Sequence, residues 1–156
     1  MARRRAAERR LIPADPRYNS VLLTRFINKV MLDGKKSKAQ AAVYEAIEAL
    51  EQEANRPGVE VFEQAVRNAT PAVEVRSRRV GGATYQVPTD VRPERRVALA
   101  LRWLVGGARA RGGRPIARRI YEELLEASRG QGSAVRRREE LHRMAEANRA
   151  FVHYRW

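Results

Sequence analysis

The side chains with chemistry to offer in this sequence are arginines. The stretch VEVRSRRVGGATYQVP, Val73 to Pro88, sets Arg76, Arg78 and Arg79 among strand-forming valines. A guanidinium is a planar fork of donors that pairs bidentately with phosphate and stacks on bases. Tyr85 adds a stacking platform, worth about 1–3 kcal/mol per base where one is used. Gly81-Gly82 can supply the positive φ of a tight two-residue loop, which makes the stretch a β-hairpin, and the paired glycines let backbone approach a ligand closely. With that loop Arg78 faces Tyr85 and Arg76 faces Val87, while Ser77, Arg79, Thr84 and Gln86 fall on the other face; a longer loop would exchange the faces. Neither face is wholly apolar. The plainer alternative is a solvated ribbon with one half-buried side.

Further cations cluster outside the ribbon. In DGKKSK, Asp33 to Lys38, Lys35, Lys36 and Lys38 sit at a helix N-terminus, a favourable place for a phosphate, against the plainer alternative of a solvated turn. GKKS looks like the end of a nucleotide-binding loop. That pattern needs a glycine five positions before Gly34, where Lys29 stands, and a preceding strand where the periodicity reads helix. Arg95, Arg102 and Arg109 recur every seven residues and share a helix face, with Arg96 beside it; Arg111, Arg114, Arg118 and Arg119 extend the basic surface. No acid balances this helix at i±4 beyond its start. Arg136, Arg137 and Arg138 sit in the first turn of another helix, where they oppose its dipole unless a phosphate or Glu139 and Glu140 compensate.

Catalytic chemistry finds little support. His142 and His153 are the two histidines and fall on different elements, there is no cysteine, and no metal-ligand spacing occurs. The glutamates at 45, 48, 51 and 53 read as a solvated face or protein contact rather than an acid–base pair. We expect no catalytic residue, no metal and no cofactor.

Charge sharpens the picture. The 156 residues hold 32 Lys+Arg against 18 Asp+Glu, net +14. The surplus is segregated: residues 1–38 carry 11 basic and 3 acidic side chains, residues 39–66 carry 1 and 6, and residues 67–119 carry 13 and 3. Such a division predicts one face for a polyanion and another that is neutral or acidic. The N-terminus, MARRRAAERR, has no apolar run behind it and does not read as a secretory signal. No stretch approaches the ~18 apolar residues of a membrane span.

The elements that must position these cations are helical. Residues 1–19 read as a basic arm, extended and mobile without a partner. Helix one is expected over Ser20 to Leu32, with Ser20 as N-cap. Helix two starts at Ser37, with Gln40 completing a capping box, and stops at Asn55 to Gly58. Helix three spans Gly58 to Asn68 and closes at Thr70-Pro71. The hairpin occupies 72–89. Helix four begins near Pro93, and Gly106-Gly107 should weaken its end by roughly 1 kcal/mol per glycine. Arg111 to Arg114 is a linker. Helix five takes Pro115 to Arg129. Helix six takes Ser133 to Ala150, with Val135, Leu141, Met144, Ala145 and Asn148 on one side, and 151–156 is a tail. The expected fold is therefore mainly α: a six-helix body in one RNA-binding domain over 1–156, with a two-stranded hairpin protruding between helices three and four. Because a lone ribbon is marginal in water, a partner must cover it.

VEVRSRRVGGATYQVP, followed by RPERR and ALRWL, together with DGKKS and the C-terminal HRMAEANRAFVHYRW, resembles the bacterial small-subunit ribosomal protein seven family over nearly the whole chain. The resemblance implies a cytoplasmic, ribosomal, non-catalytic protein. It would be a primary binder of small-subunit ribosomal RNA that initiates assembly of the 3′ major (head) domain. It implies an RNA surface carried here by Arg3, Arg4, Arg5, Arg9 and Arg10, by Lys35 and Lys36, by Arg76, Arg78 and Arg79, and by Arg95, Arg96 and Arg102. The ribbon would lie near the exit-site transfer RNA and the outgoing messenger, and other faces would meet neighbouring small-subunit proteins nine and eleven. No membrane and no homo-oligomer are expected. The glycine pairs at 106–107 and 112–113 depart from the family pattern. Two rival readings are weaker. A DNA-bending protein would carry an apolar or proline wedge at the ribbon tip, and an RNA-processing enzyme would need a metal or acid–base set.

Overall fold

The computed structural model describes residues 10–154. Among them the order is α1 (Val21–Val30), α2 (Lys36–Ala54), α3 (Gly58–Ala69), β1 (Val73–Val80), β2 (Ala83–Asp90), α4 (Pro93–Ala110), α5 (Ile116–Ser128), α6 (Gly132–Ala147) and a 3-10 helix (Arg149–Tyr154). This is the expected helical body with one antiparallel hairpin between the third and fourth helices.

Packing decides most of these elements. Ser20 caps α1 as expected: its Oγ accepts from the Leu23 N–H at 3.3 Å, worth about 1 kcal/mol. Ten residues are too few for a helix to persist alone in water. Leu23, Phe26 and Ile27 are fully buried, roughly 1.5–3 kcal/mol each, so burial outweighs the cap. Phe26 meets Phe62 of α3 with ring centroids 5.2 Å apart. Helix α5 packs against α2, α3, α4 and α6 and buries Ile120, Leu124 and Ala127 at the centre.

The expected capping box of helix two does not form. Asp33 and Gly34 reverse the chain at φ 51° and 70°, α2 begins at Lys36, and no side chain caps it. Gln40 is engaged elsewhere. Its Nε2 donates to the Tyr44 hydroxyl at 2.6 Å, and that hydroxyl donates to Asp15 at 2.8 Å. Asp15 is buried and also accepts the N–H groups of Arg17 and Tyr18, both at 3.1 Å. A buried carboxylate without such donors is costly, so the arm is pinned from Asp15 onward. Its last five residues are not the mobile extension the sequence suggests.

Helix α4 runs unbroken through Gly106-Gly107 to Ala110, up to the expected linker at Arg111. Gly107 sits where α4 crosses the α5–α6 pair. A Cβ there would lie 2.1 Å from Ser133 Oγ and 2.6 Å from Glu123 Oε1. Glu123 is buried within α5 and accepts from Ser133 Oγ at 2.7 Å, from the Ala134 N–H at 3.0 Å and from Arg111 Nη2 at 2.8 Å. The glycine that looks like a helix breaker is what admits this cluster. Helix α6 differs from expectation. It ends at Ala147, not Ala150; of its expected stripe Val135 and Ala145 are buried and Met144 is exposed, while Ala134, outside that stripe, is buried too.

The two adjacent glycines respond oppositely to alanine. Gly106 faces open space, so Gly106→Ala raises stability by up to about 1 kcal/mol through helix propensity. In Gly107→Ala the same gain is outweighed by overpacking of about 1–3 kcal/mol, and the thermal midpoint falls. Thermal unfolding followed by circular dichroism reads both signs.

Candidate nucleic-acid interface

The ribbon takes the two-residue Gly81-Gly82 loop, with φ of 56° and 91°. Its register places Arg78 opposite Tyr85 and Arg76 opposite Val87, as the sequence suggests. Alternation then puts Glu74, Arg76, Arg78 and Tyr85 on one face, and Ser77, Arg79, Thr84 and Gln86 on the other. The three arginines are not brought onto one face. Arg79 is exposed beside a Ser77–Gln86 cross-strand hydrogen bond. Arg76 binds Glu74 through Nε at 2.7 Å, and Arg95 of α4 reaches the same carboxylate at 2.8 Å. Burial pushes the Glu74 carboxyl up, but the hydrogen bonds from Arg95 and Arg76 outweigh it and hold the group below its ordinary value. Arg95 is thus balanced by an acid after all. It comes from the ribbon rather than from α4, which is why helical i±4 spacing does not reveal it.

Tyr85 has company that the sequence did not suggest. The C-terminal segment expected as a tail forms the 3-10 helix, whose Phe151 and Tyr154 rings lie 5.2 and 5.0 Å from the Tyr85 ring. The root of the ribbon is buried at Val87 and Pro88, with β2 against this helix and β1 against α6. The protein itself therefore supplies part of the support that the sequence assigned to a partner.

On the helical body, Arg102 is exposed, and Arg96 Nε donates to the Val91 carbonyl at 2.7 Å at the ribbon's exit. Lys35 lies 3.9 Å from Asp33 in the turn, and Lys36 is the exposed first residue of α2. Arg10 lines a groove between α1 and α4 together with Arg25, Asn28 and Lys29. Arg25 and Lys29 were missed because they lie on the polar side of a short helix with no local cluster around them. Among the described residues no carboxylate comes within ion-pair distance of Arg25, Lys29, Arg79 or Arg102. Arg3, Arg4, Arg5 and Arg9 lie outside the described residues.

Several other arginines are engaged by the protein's own groups. Arg111 is held by Glu126 at 2.6 Å and Glu123 at 2.8 Å. The Glu126 hydrogen bond, then that of Glu123, raise its pKa against the opposing effect of burial. Arg114 and Arg118 converge on Glu122, and Arg119 donates to the Arg111 carbonyl at 2.6 Å. In α6, Arg136 donates to the Gly132 carbonyl, Arg137 pairs with Glu140 and Arg138 binds the Asn68 carbonyl. The basic surface extends over α1, α4 and the ribbon and does not continue along α5. Among the described residues no group of three or more His, Cys, Asp or Glu side chains could hold a metal. No helix among them is long and apolar enough to cross a membrane.

The sequence profile of the family described as ribosomal protein S7p/S5e matches residues 2–149. The chain is 58% identical to the small ribosomal subunit protein uS7 of Xanthobacter autotrophicus and 57% identical to that of Rhizorhabdus wittichii. It is 55% identical to that of Dehalococcoides mccartyi strain 195. Each match spans all of both chains.

The root of the ribbon carries a pH dependence. His142 Nε2 accepts from the Ala72 N–H at 3.1 Å, which requires neutral imidazole. Burial, then the charge of Arg138, hold its pKa below the ordinary 6.5. The unfolded chain therefore binds the proton more readily, and the contribution of His142 is full above about pH 6.5 and lost as pH falls through the folded value. Denaturant midpoints should show wild type more stable than His142→Ala at pH 7.5, with the gap closing towards pH 5.

Proposed function

This chain belongs to the ribosomal protein S7p/S5e family, and from that premise we propose that it is a primary ribosomal RNA binder that initiates assembly of the 3′ major (head) domain. It is a structural component of the small ribosomal subunit, part of the cytoplasmic ribosome, in a family of structural proteins rather than enzymes. The observation that carries the RNA-binding reading is the set of exposed cations on α1, α4 and the ribbon, Arg25, Lys29, Arg102 and Arg79, which have no acidic partner among the described residues. Unpaired guanidinium and ammonium groups repel one another unless phosphates neutralise them, and counterion release then drives binding. Arg95, Arg96, Arg76 and Arg78 flank that set and add to it where the RNA reaches the root of the ribbon. Lys35 and Lys36 add phosphate contacts at the start of α2. The basic N-terminal arm, Arg3 to Arg10, extends the grip.

In this reading the mechanism is electrostatic capture followed by shape recognition at an RNA junction. The exposed tip of the ribbon extends towards the exit-site transfer RNA and the outgoing messenger. Faces away from the RNA meet the neighbouring small-subunit proteins nine and eleven. The acidic outer side of α2, with Glu45, Glu48, Glu51 and Glu53, suits basic protein neighbours better than nucleic acid.

A salt titration tests this against a head-domain RNA fragment, a scrambled RNA and a DNA duplex. Head RNA should bind most tightly at moderate salt, with affinity falling steeply if roughly 6–10 phosphates are engaged. Equal binding to DNA would refute the specific mechanism. Arg79→Ala should lower the salt slope by about 1. Arg76→Ala should lower it less, because Glu74 already neutralises that side chain, and replacing Arg76, Arg78 and Arg79 together should leave the body folded while weakening binding.

A further inference from the structure

A second groove lies where the ends of α1 and α4 meet the first turns of α2 and α5. Val30, Ala39, Ala42 and Ile116 form its floor, and its volume is about 340 Å³. A singly exposed leucine is ordinary on a protein surface, but Leu32, 62% exposed, continues this floor out to solvent at the mouth of the groove. Four cations stand round the rim: Lys35 and Lys38 at the start of α2, Arg109 at the end of α4 and Arg119 of α5. Asp33, 3.9 Å from Lys35, is the one carboxylate paired with this rim among the described residues. The guanidinium groups of Arg109 and Arg119 donate to the carbonyls of Val30, at 3.2 Å, and Arg111, at 2.6 Å. Those neutral partners fix the two side chains in place and leave their charge uncompensated.

We propose that this groove docks an acidic segment of another protein, one that carries aliphatic side chains among its carboxylates. The inference goes beyond the RNA-binding reading and does not depend on it. The chemistry of the lining selects the occupant. The rim offers positive charge and donors only, so the occupant is anionic. Cations drawn from three helices exceed what a lone carboxylate uses, so the occupant spreads several acids along its length. The lining carries no aromatic ring, no amide and no hydroxyl, and an unpaired base is held by stacking and by hydrogen bonds to its edges. RNA phosphates would meet the rim and leave the aliphatic floor wet. Leucine, isoleucine or valine side chains fill that floor, and Ala39 and Ala42, one turn apart on α2, leave them room. An apolar centre inside a polar rim is the make-up of a protein–protein contact.

The test uses the full-length chain and two fluorescently labelled synthetic peptides of equal length and charge, with binding read by anisotropy at physiological salt. One peptide sets leucines at helical i, i+3 and i+4 spacing among glutamates, and the other has serine in place of each leucine. The leucine peptide should bind more tightly by about tenfold or more, the effect of burying one leucine side chain. Leu32→Ser should weaken the leucine peptide by roughly 5- to 10-fold and leave the serine peptide and a head-domain RNA fragment unchanged. Lys38→Glu should weaken both peptides by roughly 2- to 5-fold. Arg102→Glu, on α4 outside the groove, should leave the preference for leucine intact. Leu32 and Lys38 are exposed, so their replacement leaves the core intact. Equal affinity for the two peptides, or a leucine peptide indifferent to Leu32→Ser, would overturn the proposal. So would an equal loss of head-RNA binding in Leu32→Ser, which would assign the groove to RNA. Displacement of the leucine peptide by an equal concentration of dodecanoate would assign it to a small amphiphile and overturn the proposal as well.

Discussion

The body is organised around a carboxylate that has no access to water. Glu123 lies on α5, yet its oxygens are shared by Ser133 and the Ala134 N–H at the start of α6 and by Arg111 at the end of α4. A buried carboxylate is tolerated only when donors surround it, and here the donors come from three helices. The angle at which α4 meets α5 and α6 is therefore coupled to the presence of this charge. Gly107 is the steric side of the same constraint, because any side chain there would occupy the space of Glu123 and Ser133. Arg111 completes it and Arg119 caps the Arg111 carbonyl, so the loop leading into α5 is fixed by charged groups rather than by apolar contacts.

That arrangement divides the arginines into two populations. Those on α5 and its preceding loop serve the protein's own acids. Those on α1, on the outer side of α4 and near the ribbon tip meet few acids or none. Among the described residues the positive surplus is thus concentrated by folding, since neutralisation along α5 leaves it on the surface built by α1, α4 and β1. Glu74 sits at the border between the populations. Buried and shared by Arg76 and Arg95, it ties the root of the ribbon to the first turn of α4 and gives a two-stranded sheet a fixed direction.

The ribbon is supported from a second side by the chain's own C-terminal 3-10 helix, through Phe151 and Tyr154 on Tyr85. Two strands alone would be marginal, and the aromatic contact is worth about 0.5–1.5 kcal/mol per ring pair beyond the area it covers. With the root held by α6 and the middle by this helix, the exposed tip is left for a partner, and a rigid root makes its placement reproducible.

The order of the six α-helices, the place of the hairpin and the excess of cations were legible in the sequence, because each follows from local rules: apolar periodicity and proline and glycine punctuation. The hairpin register stayed open between two loop lengths until the structure showed the two-residue Gly81-Gly82 loop. What each charged side chain does was not legible. Arg111 and Arg79 look alike along the chain, yet one is enclosed by Glu123 and Glu126 while the other faces water, and the difference comes from acids 12 and 15 residues away from Arg111. Gly107 reads as a helix breaker from propensity alone and proves to be a close-approach point, because the atoms it must avoid belong to other helices. Gln40 read as a capping-box residue, but its union with Tyr44 and Asp15 required the arm to fold back on α2. Local chemistry depends on neighbours in sequence and is readable there. The partner of a charge is set by which surfaces meet across the core, and only the tertiary structure decides that.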